Sequence, residues 1–154
     1  MPPVIIGSFE EFEQHNGQSL GTSDYFHITQ EQINIFAKAT HDHQWIHTDP
    51  ERAKVEGAFG NTIAHGYLTL SIVPHLWEQI VDVRNLKMMI NYGIESLKFA
   101  NPVLVDSEVR LAATLKSVAN LRGTVKAEVA VKLEIKDQKK PAFTGVLIFL
   151  YHFQ

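Results

Sequence analysis

Thr124-Val125-Lys126-Ala127-Glu128-Val129-Ala130-Val131-Lys132-Leu133-Glu134-Ile135-Lys136 is the stretch that decides the fold. Apolar side chains stand at Val125, Ala127, Val129, Val131, Leu133 and Ile135, with Lys126, Glu128, Lys132, Glu134 and Lys136 between them. Successive side chains of an extended chain point to opposite faces, so a period of two predicts a strand with one buried face and one wet face. Upstream, Val109, Leu111, Ala113 and Leu115 repeat the pattern. Residues 120–123 and 136–141 carry the turn residues of hairpins. Ala142 to Phe153 reads as a last strand and Leu86 to Ile94 as an earlier one.

The chain changes character near Asn85. Before it, the most apolar segment runs from Thr62 to Val81 with Ile63, Leu68, Ile72, Val73, Leu76, Trp77 and Ile80. Apolar residues on nearly every face predict a helix wrapped by other structure, with Pro74 as a kink. Strands and helix together predict an α+β fold, a curled antiparallel sheet around one long central helix, in a single domain over residues 1–154. Three shorter helices are predicted. One is an acidic turn or two over residues 9–15. Another is capped by Thr29, with Gln32 completing a capping box, and ends near Thr40. The third is capped by Asp49 with Pro50 in its first turn.

Composition narrows the function classes. The 154 residues carry 45% hydrophobic and 20% charged side chains, as a packed protein does. A net charge of −3 gives no general attraction to nucleic acid or to an anionic membrane. No cysteine is present, so disulfides and thiolate chemistry are excluded. No apolar run approaches the roughly 20 residues of a membrane span, and the N-terminus does not read as a secretory signal. A cytoplasmic location is the expectation.

The chemistry concentrates in Asp42-His43-Gln44-Trp45-Ile46-His47 and in Ala64-His65-Gly66. A carboxylate and an imidazole can hold one water and move its proton near neutral pH. From this spacing alone, Asp and His in a polar loop are more often solvated side chains or caps. Gly66, at the start of the predicted apolar helix, suits close approach of a ligand to free N–H groups that polarise a carbonyl oxygen. On its own the glycine better suits a neighbouring strand that packs tightly. Trp45, Phe59 and Tyr67 are candidates for an apolar pocket, or for ordinary core. His41, His43 and His47 with Asp42 and Asp49 make a zinc reading that ranks low. Alternation sets Asp42 opposite His41 and His43, the two-histidine helix motif of zinc hydrolases is absent, and Trp45-Ile46 with Pro50 argues against a regular helix there.

The two motifs resemble those of the MaoC-like dehydratase family, which includes (R)-specific enoyl-CoA hydratases and NodN-like proteins. The family pattern is Asp-x-Asn-Pro-(Ile/Leu)-His, followed some twenty residues later by (Ile/Val)-(Ala/Val)-His-Gly. It is matched by Asp42, Ile46 and His47, then by Ile63, Ala64, His65 and Gly66. Phe99-Ala100-Asn101-Pro102-Val103 is similar to the family's Phe-x-x-Pro-Val segment. Gln44 and Trp45 replace the family's asparagine and proline.

The resemblance implies a hot-dog fold and a homodimer whose sheets join side by side, with sites near the interface. It implies hydration of a trans-2-enoyl thioester to an (R)-3-hydroxyacyl thioester, or the reverse. Asp42 and His47 would be catalytic, the Gly66 N–H would form the oxyanion hole, and Gln44 and His65 would orient. The substrate is an acyl-CoA or acyl-carrier thioester, and no metal or redox cofactor is expected. A thioesterase of the same fold and a non-catalytic acyl-thioester binder are the alternatives.

Overall fold

A computed structural model describes residues 2–154. In chain order its elements are β1 (Val4–Ile6), α1 (Phe9–Gln14), β2 (Ser19–Thr22), β3 (Phe26–His27), α2 (Gln30–Thr40), α3 (Trp45–Thr48), α4 (Pro50–Glu56), α5 (Gly66–Ser71), α6 (Val73–Ile80), β4 (Val81–Val83), β5 (Leu86–Phe99), β6 (Glu108–Leu121), β7 (Thr124–Ile135) and β8 (Phe143–Phe153). The main sheet is antiparallel in the order β2-β6-β7-β8-β5, and β3 also pairs with β6.

The alternation in β6 and β7 is buried as read. Val109, Leu111, Ala113 and Leu115, and every odd position from Val125 to Ile135, face inward. Phe143, Leu147, Phe149 and Tyr151 of β8 extend that face, and Leu68, Val73, Leu76, Trp77 and Ile80 of α5 and α6 pack in one cluster with it. The two predicted hairpins form. Arg122 and Gly123 both take positive φ at the first, as a tight turn between right-twisted strands requires, and Asp137 does so at the second.

The single long helix is corrected. The segment 62–81 does not enter the helix until Gly66, and it is two short helices meeting at Ile72. Pro74 stands in the first turn of α6, where a missing N–H ends the α5 ladder without cost to α6. Thr62, Ile63 and Ala64 are extended instead. Ile63 bridges Leu104, and the Ala64 N–H donates to Val103 O (2.8 Å). Thr29 caps α2 by accepting from the Gln32 N–H (3.1 Å), but the capping box is half made, because Gln32 Oε1 is buried without a partner among the described residues. Asp49 caps α4 as expected. One helical turn does form at Trp45–Thr48, ahead of Pro50 rather than through it. The short strands β1 to β4 carry no alternation long enough to read in the sequence; β1 pairs with β4 in parallel.

β5 behaves differently from its neighbours. It is 14 residues long, lies at the edge of the sheet and has no buried residue. Met88, Ile90, Tyr92 and Ile94 are 40–63% exposed. No helix is long and apolar enough to cross a membrane among the described residues.

Trp77 Nε1–H donates to the Tyr151 hydroxyl (2.6 Å) at the centre of the core, with both side chains at most 1% exposed. Tyr151→Phe strands that donor out of reach of water, so unfolding free energy should fall by about 1–3 kcal/mol in urea titrations. An unchanged midpoint would show that Trp77 finds another acceptor.

Candidate active site

Asp42 reaches the site by a reversal of the chain. α2 ends at His41, which takes the left-handed conformation (φ 64°) and turns the backbone out of the helix. Asp42 follows, exposed, with Oδ1 3.4 Å from the Gln44 N–H, a long Asx-type contact. The next residues wind into α3, whose third position is His47, buried at 7% exposure.

His47 is tightly held. Its Nδ1 lies 2.7 Å from Ile63 O. A carbonyl only accepts, so Nδ1 carries the proton and Nε2 is left with a free lone pair. Its backbone carbonyl accepts from Gln30 Nε2 (2.8 Å), and Gln30 Oε1 accepts from the buried Thr62 hydroxyl. Burial lowers the His47 pKa below the usual 6.5, and the neighbouring His65 acts in the same direction; the hydrogen bond to Ile63 and the Asp42 charge oppose them. Neutral imidazole is therefore the form favoured near pH 7.

His65, the N-cap of α5, is 3% exposed. Its Nε2 lies 3.0 Å from Asp42 O, so Nε2 is the protonated nitrogen. Nδ1 is buried without a partner among the described residues. The ring stacks on His47 (centroids 3.9 Å apart, planes at 22°), and Phe36 of α2 packs against it (4.9 Å). His65 thus pins the Asp42 backbone while backing the His47 ring.

Side-chain ligand atoms of Asp42, His47 and His65 all lie within 4.8 Å of one another. A water that makes hydrogen bonds of about 2.8 Å on two sides fits between groups so spaced. The set is not the one the zinc reading drew on, since His41 and His43 are exposed and lie outside it. Stacked imidazoles keep their lone pairs in nearly parallel planes, so an ion bound in the plane of one ring lies out of the plane of the other. The arrangement suits a shared water better.

His47 and His65 open onto a cleft of about 490 Å³ lined also by Gly66, Tyr67, Phe99 and Asn101, among others, while Asp42 stands exposed beside them and is not part of that lining. Gly66 is the first residue of α5, and its N–H has no acceptor among the described residues. A Cβ there would come within 3.0–3.2 Å of the Phe99 ring, so the tight-packing reading of the glycine holds.

Two expectations are corrected. Trp45 and Phe59 do not line this cleft. They line a separate groove of about 290 Å³ that shares only Ile63 with it, and Arg52 lies over the Trp45 ring (4.3 Å). At about 100° per residue, Trp45 and His47 point to opposite sides of α3. Tyr67 alone of the three lines the cleft, 71% exposed. The Gln44 side chain makes no hydrogen bond among the described residues; only its backbone N–H meets Asp42. Gln30 and Thr62 hold His47 instead, and no spacing in the sequence singles them out.

Residues 11–136 match the family model described as a MaoC like domain. The chain is 47% identical over 136 residues to 3-hydroxyacyl-thioester dehydratase Z of Mycobacterium tuberculosis, covering 88% of this chain and 89% of that one. It is 41% identical to Nodulation protein N of Rhizobium leguminosarum bv. viciae over 89% of this chain and 86% of that one. Its fold superposes on the (R)-hydratase from A. caviae involved in PHA biosynthesis with a TM-score of 0.71, at 25% identity and over 87% and 94% of the two chains. The α+β architecture is thus the hot-dog fold, and the chain belongs to the MaoC-like dehydratase family.

Proposed function

We propose that the protein is a hydro-lyase that adds water reversibly to a trans-2-enoyl thioester, giving an (R)-3-hydroxyacyl thioester. The observation that carries this reading is the convergence of Asp42 and His47 within 4.8 Å, with His47 and the unpaired Gly66 N–H lining one apolar cleft. The printed names of the relatives, a 3-hydroxyacyl-thioester dehydratase and an (R)-hydratase, support it.

In this mechanism one water lies between the Asp42 carboxylate and His47 Nε2. The thioester makes C3 electrophilic, so neither a metal nor a redox cofactor is called for. As the water oxygen bonds to C3, its proton passes to His47 Nε2, the lone pair left free by the hydrogen bond to Ile63. The C2–C3 π electrons move toward the thioester oxygen, where the Gly66 N–H stabilises the enolate-like charge. The dyad returns one proton to C2 from the same face, so its protonation is unchanged over the cycle. Asp42 orients the water and stabilises the imidazolium, and His65 keeps both in place.

The assembly that supports this chemistry is a homodimer in the cytoplasm serving fatty-acid metabolism. A long apolar edge strand left open invites pairing, and the bare edge of β5 fits a second copy of itself. A cleft of about 650 Å³ lined by Leu70, Pro74, Tyr92, Ile94 and Phe149 adjoins it and gives the second copy a surface to fill.

Asp42→Asn and His47→Gln should each slow crotonyl-CoA hydration by about 100-fold or more, followed as loss of absorbance at constant thiol. Thiol release by the wild type without hydration would establish the thioesterase instead. Tight acyl-CoA binding with neither reaction, and no change in Asp42→Asn, would establish a binder.

Activity should follow neutral His47, so the acid limb of kcat/KM should fall below pH 6.5; a midpoint at or above 6.5 contradicts this assignment. The stability effect has the matching sign. As pH falls through 6.5 the unfolded chain binds this proton before the folded one, and stability is lost down to the lower folded pKa. His47→Gln should flatten that part of the curve.

Sedimentation of the wild type should give twice the chain mass, and Tyr92→Glu with Ile94→Glu should give the monomer. A wild-type monomer at tens of micromolar would remove the dimer.

A further inference from the structure

The lip of the catalytic cleft is basic in a protein whose net charge is −3. The cleft wall 99–103 ends β5, and it is tied to the β7–β8 turn by Asn101 N–H to Pro141 O (3.1 Å), Ala100 N–H to Ala142 O (2.8 Å) and Asn101 Nδ2 to Lys140 O (3.3 Å). That turn carries Lys139 and Lys140, both exposed, immediately before the cleft-lining Ala142. On the adjoining outer face of the sheet, Lys132 and Lys98 both stand opposite Thr144, one on each neighbouring strand. Strands lie about 4.8 Å apart, so the backbones of the two lysines lie within about 10 Å of each other on either side of Thr144, three residues past Pro141 of the turn. None of the four forms an ion pair among the described residues. The carboxylates in reach are largely spoken for: Glu134 is held by Arg110 and Glu108 by Lys136, which leaves Asp137 in the turn.

Two unpaired ammonium groups on the turn behind the cleft wall, with two more on the outer sheet face beside that turn, fit an anionic group attached to an apolar substrate. We propose that Lys132, Lys139 and Lys140, with Lys98 beside them, bind the phosphates of a coenzyme A thioester, the 3′-phosphoadenosine diphosphate lying on the lip while the acyl group enters the cleft. This deepens the hydratase reading and rests on it for the identity of the thioester. The carrier is then coenzyme A rather than an acyl carrier protein. Lysines act here as point charges for phosphate, so the contact weakens with ionic strength.

The test uses the full chain with Lys132→Ala, Lys139→Ala and Lys140→Ala combined, leaving Lys98 because β5 is the proposed dimer edge. KM for crotonyl-CoA should rise about tenfold with kcat unchanged, three exposed charge contacts each contributing a few-fold. Hydration of crotonyl-N-acetylcysteamine, which has no phosphate, should be unaffected, and the Lys→Arg triple variant should restore KM. Calorimetric titration with adenosine 3′,5′-bisphosphate needs no turnover: the wild type should bind, and the alanine variant at least tenfold more weakly. Equal nucleotide binding by both proteins, or none by the wild type, overturns the proposal. So does an equal loss on both substrates, or a loss confined to an acyl-carrier-protein thioester. A wild type that binds the nucleotide yet hydrates nothing would leave the phosphate site standing and remove the hydratase reading.

Discussion

The backbone of Ile63 is the joint on which the site depends. Its N–H donates to Ile46 O (3.0 Å), its carbonyl takes the His47 Nδ1 proton, and the residue bridges Leu104. One peptide stretch therefore ties α3 to the cleft wall and sets the tautomer of the histidine that faces the cleft. Thr62, one residue before it, braces Gln30, and His65, two residues after it, holds Asp42. Were this segment helical, as its composition suggests, the Thr62 and Ile63 carbonyls would accept from N–H groups four residues on and would not be free for Val105 and His47.

The same segment explains why the buried helix is short. The wall 103–105 needs hydrogen-bond partners as it leaves the sheet, and Thr62 and Ala64 supply them. The helix begins only when those bonds are made, which puts Gly66 at its first turn with a bare N–H facing the cleft. Helix length is given up for a free backbone donor on the cleft wall. What remains, α5 and α6, covers the middle of the sheet. β5 lies beyond that cover, which accounts for a 14-residue strand whose apolar side chains stay exposed in the single chain.

The clustering of Asp42, His47 and His65 is a product of three turns rather than of spacing. The left-handed His41 delivers Asp42, the single turn of α3 delivers His47, and the start of α5 delivers His65. Stacking two imidazoles is compatible with low charge, and burial keeps His47 toward its neutral form. Trp45, placed on the other side of the same turn, is turned away from the cleft and lies under Arg52. Trp45 therefore shapes the neighbouring groove rather than the cleft.

The two motifs named Asp42 and His47 as candidates; strand periodicity, the two hairpins and the Thr29 and Asp49 caps were legible from the residues themselves. Each depends on interactions within a few residues, or on which face of one strand meets water. Tertiary structure alone decided where the apolar segment 62–81 stops being helix, that Gln30 and Thr62 rather than Gln44 hold His47, and that Trp45 and Phe59 leave the cleft. Those outcomes depend on backbone groups distant in the chain finding partners once the sheet has closed. Side-chain identity records little about such demands, because every residue except proline offers the same N–H and C=O.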